Sequence, residues 1–153
     1  MDIKVSDYID NDLVTCLEVN TPEEVIDSLV DLLHKCNKID DREAFKKAVL
    51  CRENISSTGI GMGVAIPHAK HSSYKDFFIA VGIRKSPLEG IDWKSIDNMP
   101  VRLVFLIGGP ENKQKKYLHL LSGITKIIKD EALRKNILSS KSSREVVELL
   151  KPF

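Results

Sequence analysis

Ser57-Thr58-Gly59-Ile60-Gly61-Met62-Gly63-Val64-Ala65-Ile66-Pro67-His68 is the stretch on which the reading of this chain turns. Glycines at 59, 61 and 63 alternate with larger residues. Glycine accepts positive φ and lets the backbone approach another group closely. The alternation fits an ordinary tight turn, and it equally fits a nest of N–H groups around an anion. It is neither a P-loop nor a dinucleotide fingerprint, because no Gly-Lys-Ser/Thr follows and the spacing is not GxGxxG. Val64-Ala65-Ile66 is a short apolar run stopped by Pro67, which fixes its own φ and holds Ile66 extended. That places His68 at a defined point beside the loop. A neutral imidazole is a competent nucleophile toward phosphorus, and with an ordinary pKa near 6.5 most of it is neutral at pH 7. A half-buried histidine without chemistry is the plainer reading of any single His.

Upstream of the loop, Val14 to Val19 is strand-like. Thr21-Pro22-Glu23-Glu24 then opens a helix: Thr21 caps it, Pro22 suits the first helical position, and Glu24 completes a capping box. Val25, Leu29, Leu32, Leu33 and Cys36 fall on one face of that helix. Asp40-Asp41-Arg42-Glu43 repeats the cap signal before a second helix carrying Phe45, Ala48 and Val49. Glu53 to Gly63 reads as loop. Downstream, Phe77 to Ile83 and Val101 to Ile107 are apolar and β-branched enough for buried strands. Helices are predicted from about Asn112 to Lys129, from Glu131 to Leu138, and from Ser142 or Ser143 onward. Helices precede, separate and follow strands, which gives an α/β layer fold.

The 153 residues predict a single domain, 1–153, large enough to build a core without staples. Lys plus Arg number 23 and Asp plus Glu 22, a formal charge of +1. That balance argues against a dedicated nucleic-acid surface and gives no support to a polybasic membrane surface. No apolar run approaches the roughly 18 residues a membrane span needs, and the first ten residues lack a signal-peptide apolar region. Cys16, Cys36 and Cys51 have no CxxC spacing, so reduced, mostly buried thiols in a cytoplasmic protein are expected.

Three further residues are candidates for chemistry. Arginine is scarce here, six against seventeen lysines. Arg52, just before the loop, has the planar fork that holds two phosphoryl oxygens, although a helix-end charge is an equal reading. His119 falls away from the apolar stripe of its helix (Tyr117, Leu120, Leu121, Ile124, Ile128), and the small Ser122 and Gly123 beside it leave room for another group. His71 lies three residues after His68, but no third ligand stands at metal spacing, so no metal is expected.

The loop Ser57 to Gly61 with Gly63 to His68 resembles the signature of the IIA domains of the bacterial phosphoenolpyruvate:sugar phosphotransferase system, fructose/mannitol type. Asp41 to Phe45 looks like that family's preceding helix, Gly90-Ile91-Asp92-Trp93 and Val101 to Ile107 like its central strands, and Leu118-His119-Leu120-Leu121 like its second-histidine helix. The resemblance runs from about Val14 to Leu150. It implies a mixed, mainly five-stranded sheet flanked by helices on both faces. It implies that His68 accepts a phosphoryl group on Nε2 from the phosphocarrier protein, and that His119 is the second active-site histidine. Arg52 would neutralise phosphate charge, while Thr58 and the adjoining amides, Gly59 among them, would bind its oxygens. The acceptor would be a IIB component, with membrane contact only through a IIC component on another chain, and with no cofactor. Met62 stands where many relatives have Asn, which removes a side chain that could brace the loop.

These parts suit phosphoryl transfer, whose loose transition state asks for positioning and charge stabilisation. Ile60, Met62 and Val64 are candidate contacts for donor and acceptor. Two functions compete. One is a sugar-uptake phosphoryl carrier; the other is a nitrogen-related regulatory IIA protein whose phosphorylation state controls partner binding.

Overall fold

The computed structural model describes residues 3–153. The first helix, α1 (Pro22–Lys35), is capped as its sequence predicts: the Glu24 amide donates to the Thr21 hydroxyl at 3.2 Å, and Thr21 donates back to the Glu24 carboxylate at 3.0 Å. Such a cap stabilises a helix by about 1 kcal/mol. Asp41 caps α2 (Arg42–Ile55) through the Ala44 amide. Arg42 ties the two helices together by ion pairs to Asp27 and Asp31.

The strands are β1 (Val14–Cys16), β2 (Gly59–Gly61), β3 (Val64–Ala65), β4 (His68–Lys70), β5 (Phe78–Ile83) and β6 (Leu103–Gly109). Six strands form one mixed sheet, where five are expected from sequence. The difference has a simple cause. Val64 pairs with Leu103, Ala65 with Val104, and His68, Ala69 and Lys70 with Ile107, Gly108 and Gly109, all parallel and at one constant offset. β3 and β4 therefore occupy one lane, interrupted at Pro67, which has no N–H to give the ladder. The lanes run β1, β5, β6, β3 with β4, and β2.

Three helices follow: α3 (Gln114–Lys129), α4 (Glu131–Leu138) and α5 (Ser143–Leu150). Alternation along the central strands serves two layers. Ile79, Val81, Phe105 and Ile107 pack with α3, α4 and α5. Phe78, Ala80, Val104 and Leu106 pack with α1 and α2. The sheet is covered on both faces, so its central strands are continuous apolar runs. Each fully buried Leu, Ile or Phe there is worth about 1.5–3 kcal/mol over exposure.

Three local readings need correction, the first being that Cys16 and Cys51 are exposed and not buried, with Cys36 half-buried. Ile91 forms only an isolated bridge to Val101, and Gly90 to Trp93 is otherwise irregular, since its turn residues leave no room for a ladder. The second helix runs on through Ile55, so Glu53 to Ile55 lie in its last turn and not in a loop, and Arg52 is the helix-end charge that one sequence reading allows.

Candidate functional site

Strand alternation fixes where His68 points. Ala69 packs in the layer beneath α1 and α2, whereas Ile66 packs against the α3 layer. His68 and Lys70 flank Ala69 and so face α3. The residue that meets them is Tyr117. Its ring centroid lies 6.0 Å from that of His68, Phe77 stacks on it at 5.9 Å, and the Lys70 ammonium sits 4.1 Å from its centre. Lys70 also donates to Gln114 Oε1 at 2.9 Å.

His68 is half-buried, and its Nδ1 lies 2.9 Å from the Ile66 carbonyl oxygen. A carbonyl only accepts, so Nδ1 carries the proton and donates it. In the neutral ring Nε2 then keeps its lone pair. Burial pushes the imidazole pKa below its ordinary value. The Ile66 hydrogen bond and Glu53 oppose that shift, while the positive charges of Arg52 and Lys70 add to it. The nucleophilic form is thereby favoured at neutral pH.

Arg52 donates to the Ser56 carbonyl at 2.9 Å, closing the end of α2, and its field reaches both His68 and Tyr117. Glu53, which carries no assigned role in the sequence reading, accepts from the Thr58 amide at 2.7 Å and from the Thr58 hydroxyl. Reading 53 as loop hides this clamp; a helix extended by one turn would have revealed it. The Thr58 carbonyl accepts from the Ile66 amide at 3.0 Å, so the clamp is anchored beside the carbonyl that orients His68.

Not every candidate gathers here. Thr58 is at the site, yet both its donors are spent on Glu53. The Gly59 amide is likewise taken, by Ser57 Oγ at 3.0 Å. Neither amide, nor the Thr58 hydroxyl, has a proton free for phosphate in this state. The glycine tip is farther still. Gly61, Met62 and Gly63 have φ of +100°, +57° and +75°, and the Met62 amide donates to the Asp97 carboxylate at 2.9 Å. The anion in this nest is the chain's own Asp97, and it does the bracing that an Asn at 62 was expected to supply. Val64 pairs with Leu103 and His68 with Ile107, so the tip lies four β6 residues, roughly 13 Å, from His68.

His119 is the second correction. It is exposed, and its side chain makes no hydrogen bond among the described residues. On its helix it lies between Lys116, whose ammonium is 5.1 Å from the Tyr8 ring, and Gly123, where a Cβ would come within 2.6 Å of Val5. The room left by Gly123 is filled by the chain's own N-terminal turn. At 100° per residue His119 is turned some 160° from Tyr117, and only Tyr117 can face His68. Tyr117 escapes notice in the sequence because it reads as one more apolar-stripe residue.

Ile55, Ile60, Ile96 and Leu118 are exposed apolar side chains, Ile96 at 84% and Ile55 at 79%. Ile55 lies in the same helical turn as Arg52, and Leu118 follows Tyr117, so an apolar rim begins at the site itself. Met62 is half-exposed at the distant tip, and Val64, a candidate contact by sequence, is fully buried. Among the described residues no group of His, Cys, Asp or Glu is arranged to hold a metal, and no helix is long and apolar enough to cross a membrane.

Comparison with known proteins supplies the family. The chain is 40% identical over 134 residues to the fructose-specific EIIABC component of Bacillus subtilis, a match covering 88% of this chain and 21% of that protein. It spans about a fifth of that relative's length. The fold superposes on the nitrogen regulatory protein IIA-Ntr of Neisseria meningitidis with a TM-score of 0.86 at 26% identity, covering 95% of this chain and 98% of that one. It superposes on the complex of IIAMtl with phosphorylated IIBMtl from Escherichia coli with a TM-score of 0.78, covering 95% and 98%, where 19% identity speaks for fold alone. The family model for the phosphoenolpyruvate-dependent sugar phosphotransferase system, EIIA 2, matches residues 7–152. A match over nearly the whole chain shows that it belongs to that family, as a IIA component of the fructose/mannitol type.

Proposed function

We propose that this protein is a phosphoryl carrier of sugar uptake, charged on His68 by the phosphocarrier protein and discharged to a IIB component. The observation that carries the reading is the Nδ1–H to Ile66 carbonyl bond, which leaves Nε2 as the attacking atom. The Nε2 lone pair forms a bond to phosphorus as the bond to the donor's leaving atom breaks, and that atom keeps the electron pair. In the second step the N–P bond breaks as the IIB nucleophile, a cysteine thiolate, bonds to phosphorus. The electron pair returns to Nε2. Arg52 offsets the charge on the phosphoryl oxygens, and Thr58 with Gly59 holds the wall against which the group sits. The apolar rim of Ile55 and Leu118 is the dry contact for donor and acceptor in turn. The exchange takes place in the cytoplasm, with a IIC component supplying the membrane passage.

Incubation with labelled phosphoenolpyruvate, enzyme I and phosphocarrier tests this. Acid-labile label on wild type and none on His68→Ala is expected. An acid-stable label, or equal label on His68→Ala, would sink the assignment.

The superposition on a nitrogen regulatory IIA supports a second reading, in which phospho-His68 governs binding to a regulated protein. Fast transfer to a IIB domain favours the carrier. Stable phosphoprotein with phosphorylation-dependent capture of a partner favours the regulator.

A further inference from the structure

We propose that Lys70 is the second phosphoryl-binding cation of the site, and that Tyr117 holds it ready there. The inference rests on phosphorylation of His68. Lys70 lies two residues beyond His68 on one strand face, so the two Cα atoms are roughly 7 Å apart. Its ammonium is held by two neutral partners, the Tyr117 ring at 4.1 Å and Gln114 Oε1 at 2.9 Å. Among the described residues Lys70 has no carboxylate within ion-pair distance. A half-buried cation without a counter-ion beside a nucleophile is poised for an anion that comes and goes. A carboxylate partner would compete with phosphate, whereas an amide and a ring face release the ammonium at little cost. The unphosphorylated imidazole already feels this charge, together with that of Arg52.

The arrangement assigns different tasks to the two aromatic neighbours. Tyr117 does not touch the phosphoryl group; it presents one face to Lys70 and packs against His68, so it is a positioning residue. Phe77 stacks on it and keeps the ring from turning away. Arg52 and Lys70 then approach the phosphoryl group from α2 and from β4. No cation from His119 is needed.

The test uses phosphorylated full-length protein and its ³¹P resonance. For Lys70→Met the phosphoryl pKa should rise, and the rate of acceptance from phosphocarrier should fall by roughly tenfold, the worth of one charge-assisted bond. Lys70→Arg should restore both. Tyr117→Leu should reproduce the rate loss, whereas Tyr117→Phe, which keeps the ring face, should stay near wild type. Thermal melts identify any variant that fails to fold, and Lys70→Gln then replaces Lys70→Met. A wild-type ³¹P titration and wild-type rate in the Lys70 variant overturn this inference alone. Failure of wild type to take label overturns the carrier reading, and this inference with it.

Discussion

Tyr117 and His68 face each other with ring centroids 6.0 Å apart, and the aromatic contact to the nucleophile comes from position 117 of α3, not 119. His119→Ala is therefore expected to leave the protein near wild type. Surface substitutions away from special features change free energies by about 0.5 kcal/mol or less, which is about twofold in rate. Stopped transfer assays with phosphocarrier, alongside thermal melts, check this. A loss of tenfold or more in His119→Ala would return that residue to the site.

His68 titrates below the ordinary histidine value because burial disfavours its charged form. The unfolded chain then binds the proton more readily than the folded one. The stability contributed by neutral His68 is present above pH 6.5 and is lost as pH falls from there toward the folded pKa. Phosphoryl acceptance should follow the same group, with its half-maximal point below pH 6.5. Ring proton shifts of His68 followed by NMR give the midpoint directly. A midpoint at or above 6.5 contradicts the burial of the ring as the dominant influence.

Glu53 binds both donors of Thr58, and Thr58 in turn holds Ile66, whose carbonyl orients His68. Glu53→Ala leaves a buried hydroxyl and an amide without partners, at a cost of about 1–3 kcal/mol. Thr58→Val keeps the amide bond and loses only the hydroxyl, so its cost should be smaller. Both should slow acceptance more than they raise KM, because they disturb the orientation of Nε2 and not the docking rim. Denaturant melts and steady-state transfer rates measure the two effects separately.

What the sequence makes legible is local. The Thr21 and Asp41 caps each satisfy an amide within the next turn, so those helix starts are readable from a few residues. The core strands are equally plain, since burial on both faces makes β5 and β6 uninterrupted apolar runs. The site is only half legible. His68 is marked by its neighbours Pro67 and the glycines, but the glycine tip is drawn toward Asp97, 35 residues on, by a contact no local pattern encodes. Tyr117 looks like core because it is core, buried between Phe77 and His68. Which stripe residue meets the catalytic strand depends on how α3 crosses the sheet, and that is set by long-range packing.

Met62, like Lys94, departs from a comfortable backbone. Its φ of +57° is left-handed, which costs a side chain with a full Cβ roughly 1 kcal/mol, while Asn bears it more easily through local hydrogen bonding. The Asp97 carboxylate compensates by accepting from the Met62 amide and, through its other oxygen, from the Met99 amide at 3.0 Å, and those bonds hold its pKa below the usual carboxylate range. Met62→Asn should thus raise stability, by roughly 0.5–1 kcal/mol. Asp97→Ala should lower the melting midpoint, and in that background the gain from Met62→Asn should shrink, because the bent tip has lost its brace. Neither change should alter the maximal transfer rate, since the tip lies at the far end of the β3 and β4 lane from His68. Melts of the two single variants and the double variant give the coupling. A raised KM for phosphocarrier with unchanged melting would overturn this assignment and make Met62 part of the docking surface.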